Sequence, residues 1–139
     1  MFGFDKRFVY VIIAILAVSF LATMTGEKLL ALVLTIPGVL IAMTFHEYAH
    51  AKAADMLGDD TPRMQGRLNL NPFSHVDPIG FALLLFAGFG WGRPVEINPR
   101  NFNRNMELTK AEAIVSVAGP AMNFIIAIVF MIIYVAMIS

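Results

Sequence analysis

Three stretches of this chain carry no charged side chain: residues 8–24, 29–45 and 113–138, which are 17, 17 and 26 residues long. Runs of that length narrow the fold before any other feature is read. Inside a bilayer the backbone finds no water, so a spanning segment has to close its own hydrogen bonds, as an α-helix does. Composition agrees, with 58% hydrophobic residues, 14% charged residues and a mean hydropathy of +0.73; a soluble domain is roughly 25% charged. The length suits one domain, residues 1–139. The expected fold is an all-α membrane protein with three transmembrane helices, at about residues 8–24, 29–57 and 110–138. A short amphipathic start, residues 1–7, precedes the first. That first run has a rival reading as a cleaved signal peptide, because Lys6 and Arg7 precede it. No clear small-x-small site follows it, which favours a retained helix.

The polar segments supply the boundaries. Pro37-Gly38 predicts a kink in the second helix, and Gly58-Asp59-Asp60-Thr61-Pro62 ends it. Between helices two and three, Arg67-Leu68-Asn69-Leu70-Asn71 alternates as a short half-buried strand would. Residues 93–99 read as a second short edge strand, cut at its two ends by Pro94 and Pro99. Between these, residues 78–91 are apolar but too short to span, which predicts a re-entrant segment. Thr109 with Glu112 three residues on reads as a capping box for the last helix. Lys6, Arg7, Arg63, Arg67, Arg93, Arg100, Arg104 and Lys110 all fall on one side of such a bundle, against Lys28 on the other. The positive-inside rule then puts the N-terminus and the long loop in the cytoplasm.

Ten basic and ten acidic residues give zero net charge, and hence no electrostatic case for nucleic acid. The absence of cysteine excludes disulfides, thiolate ligands and cysteine nucleophiles.

Within the second helix lies His46-Glu47-Tyr48-Ala49-His50. Residues four apart share a helical face, so His46 and His50 can present two imidazoles to one point. That spacing suits Zn2+, with Glu47 placed to activate a bound water. The histidines lie 8 and 12 residues before Gly58, roughly 12–18 Å below the helix end. Ionisable groups at that depth are costly unless they face a cavity, pair or bind a metal. A catalytic zinc takes three protein ligands, and no Asp, Glu or His follows Glu112. The loop offers His75 and Asp77, with Glu96, Asp55 and Asp59 behind them; the first two read more readily as a turn residue and an Asp-Pro turn former. Asn123 reaches a similar depth in the last helix. It reads either as a donor to substrate or transition-state oxygen or as a helix–helix hydrogen bond beside Gly119-Pro120.

Taken together, four motifs in this order resemble the site-2 protease family of intramembrane zinc metalloproteases, particularly its compact prokaryotic branch. They are Phe45-His46-Glu47-Tyr48-Ala49-His50-Ala51; Gly66-Arg67-Leu68-Asn69-Leu70-Asn71-Pro72 with His75-Val76-Asp77-Pro78-Ile79-Gly80; Trp91-Gly92-Arg93-Pro94-Val95 with Asn98-Pro99-Arg100-Asn101-Phe102; and Ala118-Gly119-Pro120-Ala121-Met122-Asn123. The resemblance implies that His46 and His50 bind Zn2+ and that Glu47 is the catalytic base. The implied reaction is cleavage of transmembrane protein substrates in a prokaryotic cell membrane, with loop strands presenting the unwound substrate. It also implies a third ligand, an Asp on a later helix, which a C-terminal segment or partner chain would supply. The alternatives are a short form using Asp77 or His75, and a non-catalytic membrane protein that binds substrate helices.

Overall fold

The structure, a computed structural model, describes residues 5–139; the first four residues of the expected amphipathic start lie outside them. The described chain is mostly helical: α1 Lys6–Ala22, α2 Gly26–Met56, α3 Thr61–Met64, α4 Pro72–His75, α5 Pro78–Ala87 and α6 Leu108–Ile138, with a 3-10 turn at Pro99–Asn101.

By length and composition, α2 and α6 can each cross a membrane. Each has 31 residues, about 46 Å at the α-helical rise. α1, at 17 residues, sits at the short end of the spanning range. Both long helices continue through a proline, Pro37 in α2 and Pro120 in α6. Buried Thr44 returns its hydroxyl to the Leu40 carbonyl at 2.6 Å, which satisfies it without a partner from another helix. The last helix begins at Leu108. Glu107 is the N-cap and makes no side-chain cap bond; its carbonyl accepts the Lys110 and Ala111 amides. Thr109 lies inside the first turn, and the capping box does not form.

Neither expected strand forms. Over residues 67–71 the asparagine side chains take the backbone groups a ladder would need. Asn69 donates to the Gly66 carbonyl and accepts the Asn71 amide, and Asn71 caps α4 through the Phe73 amide. Residues 93–97 are extended but unpaired with any strand: the Arg93 amide donates to the His75 carbonyl at 2.7 Å, while the Pro94 carbonyl and the Val95 amide go to the side chains of Arg67 and Glu47. Among the described residues the β pairing is a lone bridge, Val76 to Gly92.

The expected re-entrant stretch is α5 followed by an extended return. Asp77 caps α5 by accepting the Gly80 amide at 2.8 Å, and left-handed Gly88 ends it. The return then passes so close to the helix start that a Cβ on Gly90 would lie 2.0 Å from the Gly80 carbonyl oxygen. α5 packs on α1, with Phe20 and Phe86 edge to face at 5.6 Å.

The buried core is small and lies where the end of α2 meets the start of α6: Ala54, Phe102, Ala111 and Val115. Beyond Asn123, α6 presents its large apolar side chains outward. An exposed apolar surface of that extent marks contact with lipid or another chain.

Asp59 ties the loop to this core. It is fully buried and accepts four hydrogen bonds: from the Thr61 amide at 3.1 Å, the Thr61 hydroxyl at 2.5 Å, the Asn98 amide at 2.6 Å and the Asn101 side chain at 3.0 Å. Burial pushes its carboxyl up, but the donors outweigh it and hold the group below the ordinary carboxylate range. Because the folded value is depressed, the stabilisation is complete above the unfolded value of about 3.9 and lost as pH falls through the folded one. Asp59→Asn leaves donors facing an amide NH2 and is expected to cost about 1–3 kcal/mol at pH 7. Thermal unfolding in detergent at pH 7 and pH 3 checks this: the gap between wild type and variant narrows in acid.

Candidate metal and catalytic site

α2 carries His46, Glu47 and His50 in a stretch rich in alanine (Ala49, Ala51, Ala53, Ala54), whose small side chains favour helix and let α6 come close. Gly119 sets the approach. A Cβ placed on it would lie 2.3 Å from His50 Nε2 and 2.7 Å from His46 Nε2. The helices therefore meet at the histidines, and only glycine fits between.

The two rings stand nearly perpendicular, at 79°, with centroids 4.7 Å apart and Nε2 atoms 3.1 Å apart. His50 Nδ1 lies 2.6 Å from the Val115 carbonyl oxygen. A carbonyl only accepts, so His50 carries its proton on Nδ1 and leaves Nε2 as a bare lone pair. Asn123 Nδ2 sits 3.1 Å from His46 Nδ1, and the amide oxygen is buried without a partner. In this orientation the amide donates to Nδ1, and His46 carries its proton on Nε2, facing the bare Nε2 of His50 at 3.1 Å. Turning the amide over would put an acceptor on Nδ1 and let two Nε2 lone pairs converge on one point. Zinc–nitrogen bonds of about 2.0–2.1 Å at a tetrahedral angle need about 3.3 Å between the nitrogens. The nitrogen separation fits such an ion; the second nitrogen of His50 is held by an acceptor, as metal-binding histidines require, and that of His46 would be with the Asn123 amide turned over.

Glu47 points to the loop side, where one carboxylate oxygen accepts the Val95 amide at 3.2 Å. Glu47, His50, Pro94, Val95, Ile97 and Val115 line a cavity of about 240 Å³. The extended 93–97 segment thus forms one wall of the site.

The loop candidates for a third ligand are not brought to the pair. Among the described residues no group of three or more His, Asp or Glu side chains is placed to hold a metal. His75 is fully buried elsewhere, its Nε2 on the Asn69 carbonyl at 2.8 Å. Asp77 is held as the cap of α5. Asp55 makes a two-point ion pair with Arg63 at 2.9 and 2.8 Å, and Glu96 accepts the Gln65 amide at 2.7 Å. With Asp59 engaged as above, the carboxylates weighed from sequence are tied into the loop itself. Sequence reasoning missed the Val115 carbonyl, the Val95 amide and the role of Gly119. Only the last left a signal, as a glycine that the periodicity of α6 does not explain.

No protein-family model matches the chain, and no solved structure does. Sequence relatives do exist. The chain is 47% identical over 91 residues to the Bacillus subtilis protein named "Putative zinc metalloprotease YwhC", a match covering 66% of this chain and 40% of that protein. It is 31% identical over 102 residues to "Putative zinc metalloprotease Rip2" of Mycolicibacterium smegmatis, covering 71% and 39%. The Rip2 protein of Mycobacterium tuberculosis H37Rv is 30% identical over 121 residues, covering 80% and 46%. The chain therefore matches less than half of the length of these relatives.

Gly119→Ala is expected to lower stability by about 1–3 kcal/mol, the range for overpacking a close contact. Gly38→Ala, in α2 where a Cβ meets nothing within 4 Å, is the control and is expected to be neutral or to gain about 0.5–1 kcal/mol. Thermal melts of the two variants in one detergent make the comparison.

Proposed function

We propose that this chain is the core of a zinc-dependent endopeptidase of the site-2 protease type, cutting transmembrane segments of protein substrates within a lipid bilayer. The observation that carries the reading is the convergence of His46 and His50 Nε2 at 3.1 Å, with His50 Nδ1 fixed on the Val115 carbonyl. The names of the relatives point the same way. In this reading α1 joins α2 and α6 as a third spanning helix, α5 and its return dip into the bilayer, and the basic loop faces the cytoplasm.

His46 and His50 hold the ion, and a third donor comes from a segment or partner chain outside these residues. Bound zinc supplies Lewis acidity, which lowers the pKa of a water and polarises a carbonyl. Glu47 is the base: it lies one residue from His46, lines the cavity, takes the proton of the attacking water and returns it to the leaving amine. Asn123, with its amide turned so that the oxygen meets His46 Nδ1, would hold that ring in the ligating tautomer and keep an N–H donor for the developing oxyanion. Val95, with its amide on Glu47, aims the carboxylate into the cavity. A second reading, a non-catalytic protein that holds substrate helices, takes its support from the absence of a third ligand among the described residues.

Metal content and cleavage of a model transmembrane substrate decide between them. His46→Ala and His50→Ala are expected to abolish zinc binding, while Asp77→Ala leaves it unchanged. Glu47→Gln should retain zinc and lower cleavage by about 10²–10⁴-fold. Stoichiometric zinc with no Glu47-dependent cleavage, in protein that includes the segment or partner supplying the third donor, overturns the protease reading in favour of the second.

A further inference from the structure

A separate cavity of about 490 Å³ lies in the loop layer, with Gln65, Arg67, Ser74, Arg93, Pro94 and Glu96 on its walls. Arg67 is 6% exposed. Its guanidinium donates to the Ser74 carbonyl and, at 3.2 Å, to the Pro94 carbonyl. Neutral carbonyls orient that charge without neutralising it. Among the described residues neither Arg67 nor Arg93 has a carboxylate oxygen within the 4.0 Å of an ion pair. Glu96, on the same wall, is engaged by the neutral Gln65 amide at 2.7 Å. Burial first, and then the Arg93 charge, pull Arg67 below the usual guanidinium range, with Glu47 and Glu96 opposing more weakly. Two cations therefore share a pocket that lacks a directly paired anion.

The position of the pocket says which anion. Pro94 lines both this cavity and the one at Glu47 and His50. An extended peptide advances about 3.3 Å per residue with alternate side chains on one side, so a peptide lying along residues 93–97 reaches both cavities within a few residues. We propose that the Arg67–Arg93 cavity is a subsite for a carboxylate side chain of the peptide substrate, a few residues from the bond cleaved beside Glu47. The proposal rests on the endopeptidase reading above. Guanidinium groups bind a carboxylate through two parallel N–H bonds. A lipid phosphate would meet the same chemistry, but the wall shared with the catalytic cavity favours the polypeptide.

The test is binding, read without zinc so that cleavage is not needed. The full chain in phosphatidylcholine nanodiscs is titrated with dye-labelled apolar dodecapeptides. Each carries one glutamate at a different position and has a glutamine counterpart. At one register the glutamate peptide is expected to bind about tenfold more tightly than its counterpart, as a charge-assisted bidentate contact implies. Arg93 is exposed, so Arg93→Gln can remove the preference without threatening the fold, and Arg93→Lys should restore part of it. Equal binding at every register, or a preference that survives Arg93→Gln, overturns the subsite. So does Arg93-dependent preference for phosphatidylglycerol discs with no glutamate effect, which assigns the cavity to lipid. A chain that shows the glutamate preference but neither binds zinc nor cleaves keeps the subsite and loses the protease reading; one that cleaves without the preference does the reverse.

Discussion

Everything at the centre of this molecule depends on how closely α6 can approach α2. The contact is made at Gly119, where the missing side chain leaves room for the imidazoles of His46 and His50 and for nothing larger. That closeness brings the Val115 carbonyl to 2.6 Å from one ring and the Asn123 amide to 3.1 Å from the other. The tautomers of both histidines are thus set by α6 and the lone pairs offered by α2. Neither helix alone makes the site. In an apolar environment, packing of small residues and interhelical hydrogen bonds are the forces available to hold helices together, and here the same few contacts do both jobs.

The loop layer answers a different problem. It has neither a sheet nor a large core, yet it must hold the extended 93–97 segment against Glu47. It does so by fixing the segment at both ends through buried charge. Arg67 grips the Pro94 carbonyl, and Asp59 grips the Asn98 amide. Between these clamps the Val95 amide meets Glu47. Each clamp is a charged group deep in the structure, Arg67 satisfied by backbone carbonyls and Asp59 by two backbone amides and two side chains, which makes it specific in geometry and costly to break.

How much of this could be read from the residues varies with the range of the forces involved. The long helices follow from uncharged runs that have only one way to satisfy their backbone in lipid, and they appear within two or three residues of their expected limits. The histidine pair follows from helical geometry alone, since spacing of four fixes which side chains meet. The strands failed because alternation records which residues prefer which side and says nothing of whether a partner strand exists. At residues 67–71, Asn69 and Asn71 had a local use for the same backbone groups, and local competition won. The Val115 carbonyl and the Val95 amide carry no sequence signature whatever, because any residue supplies a backbone group. Asp77 and His75 show the converse limit: their chemistry suits a metal, but an Asp-Pro helix start and a buried backbone acceptor claim them first.

The pair as it stands also constrains what must complete it. Two imidazoles that ligate through Nε2, with their protons on Nδ1, would be neutral ligands, so a divalent ion between them would keep its full charge. At roughly 9–15 Å inside the end of α2, by the helical rise from His50 and His46 to Met56, such a charge is expensive unless compensated. Glu47 is the adjacent carboxylate, and one of its oxygens is already turned to the Val95 amide. The proton Glu47 would take comes from the water the ion holds, so the transfer leaves the net charge of the site unchanged. With a neutral imidazole such as His75 as third ligand the site would be one charge positive throughout, and with a carboxylate it would be neutral. An uncompensated charge at this depth is costly, which favours an anionic third ligand.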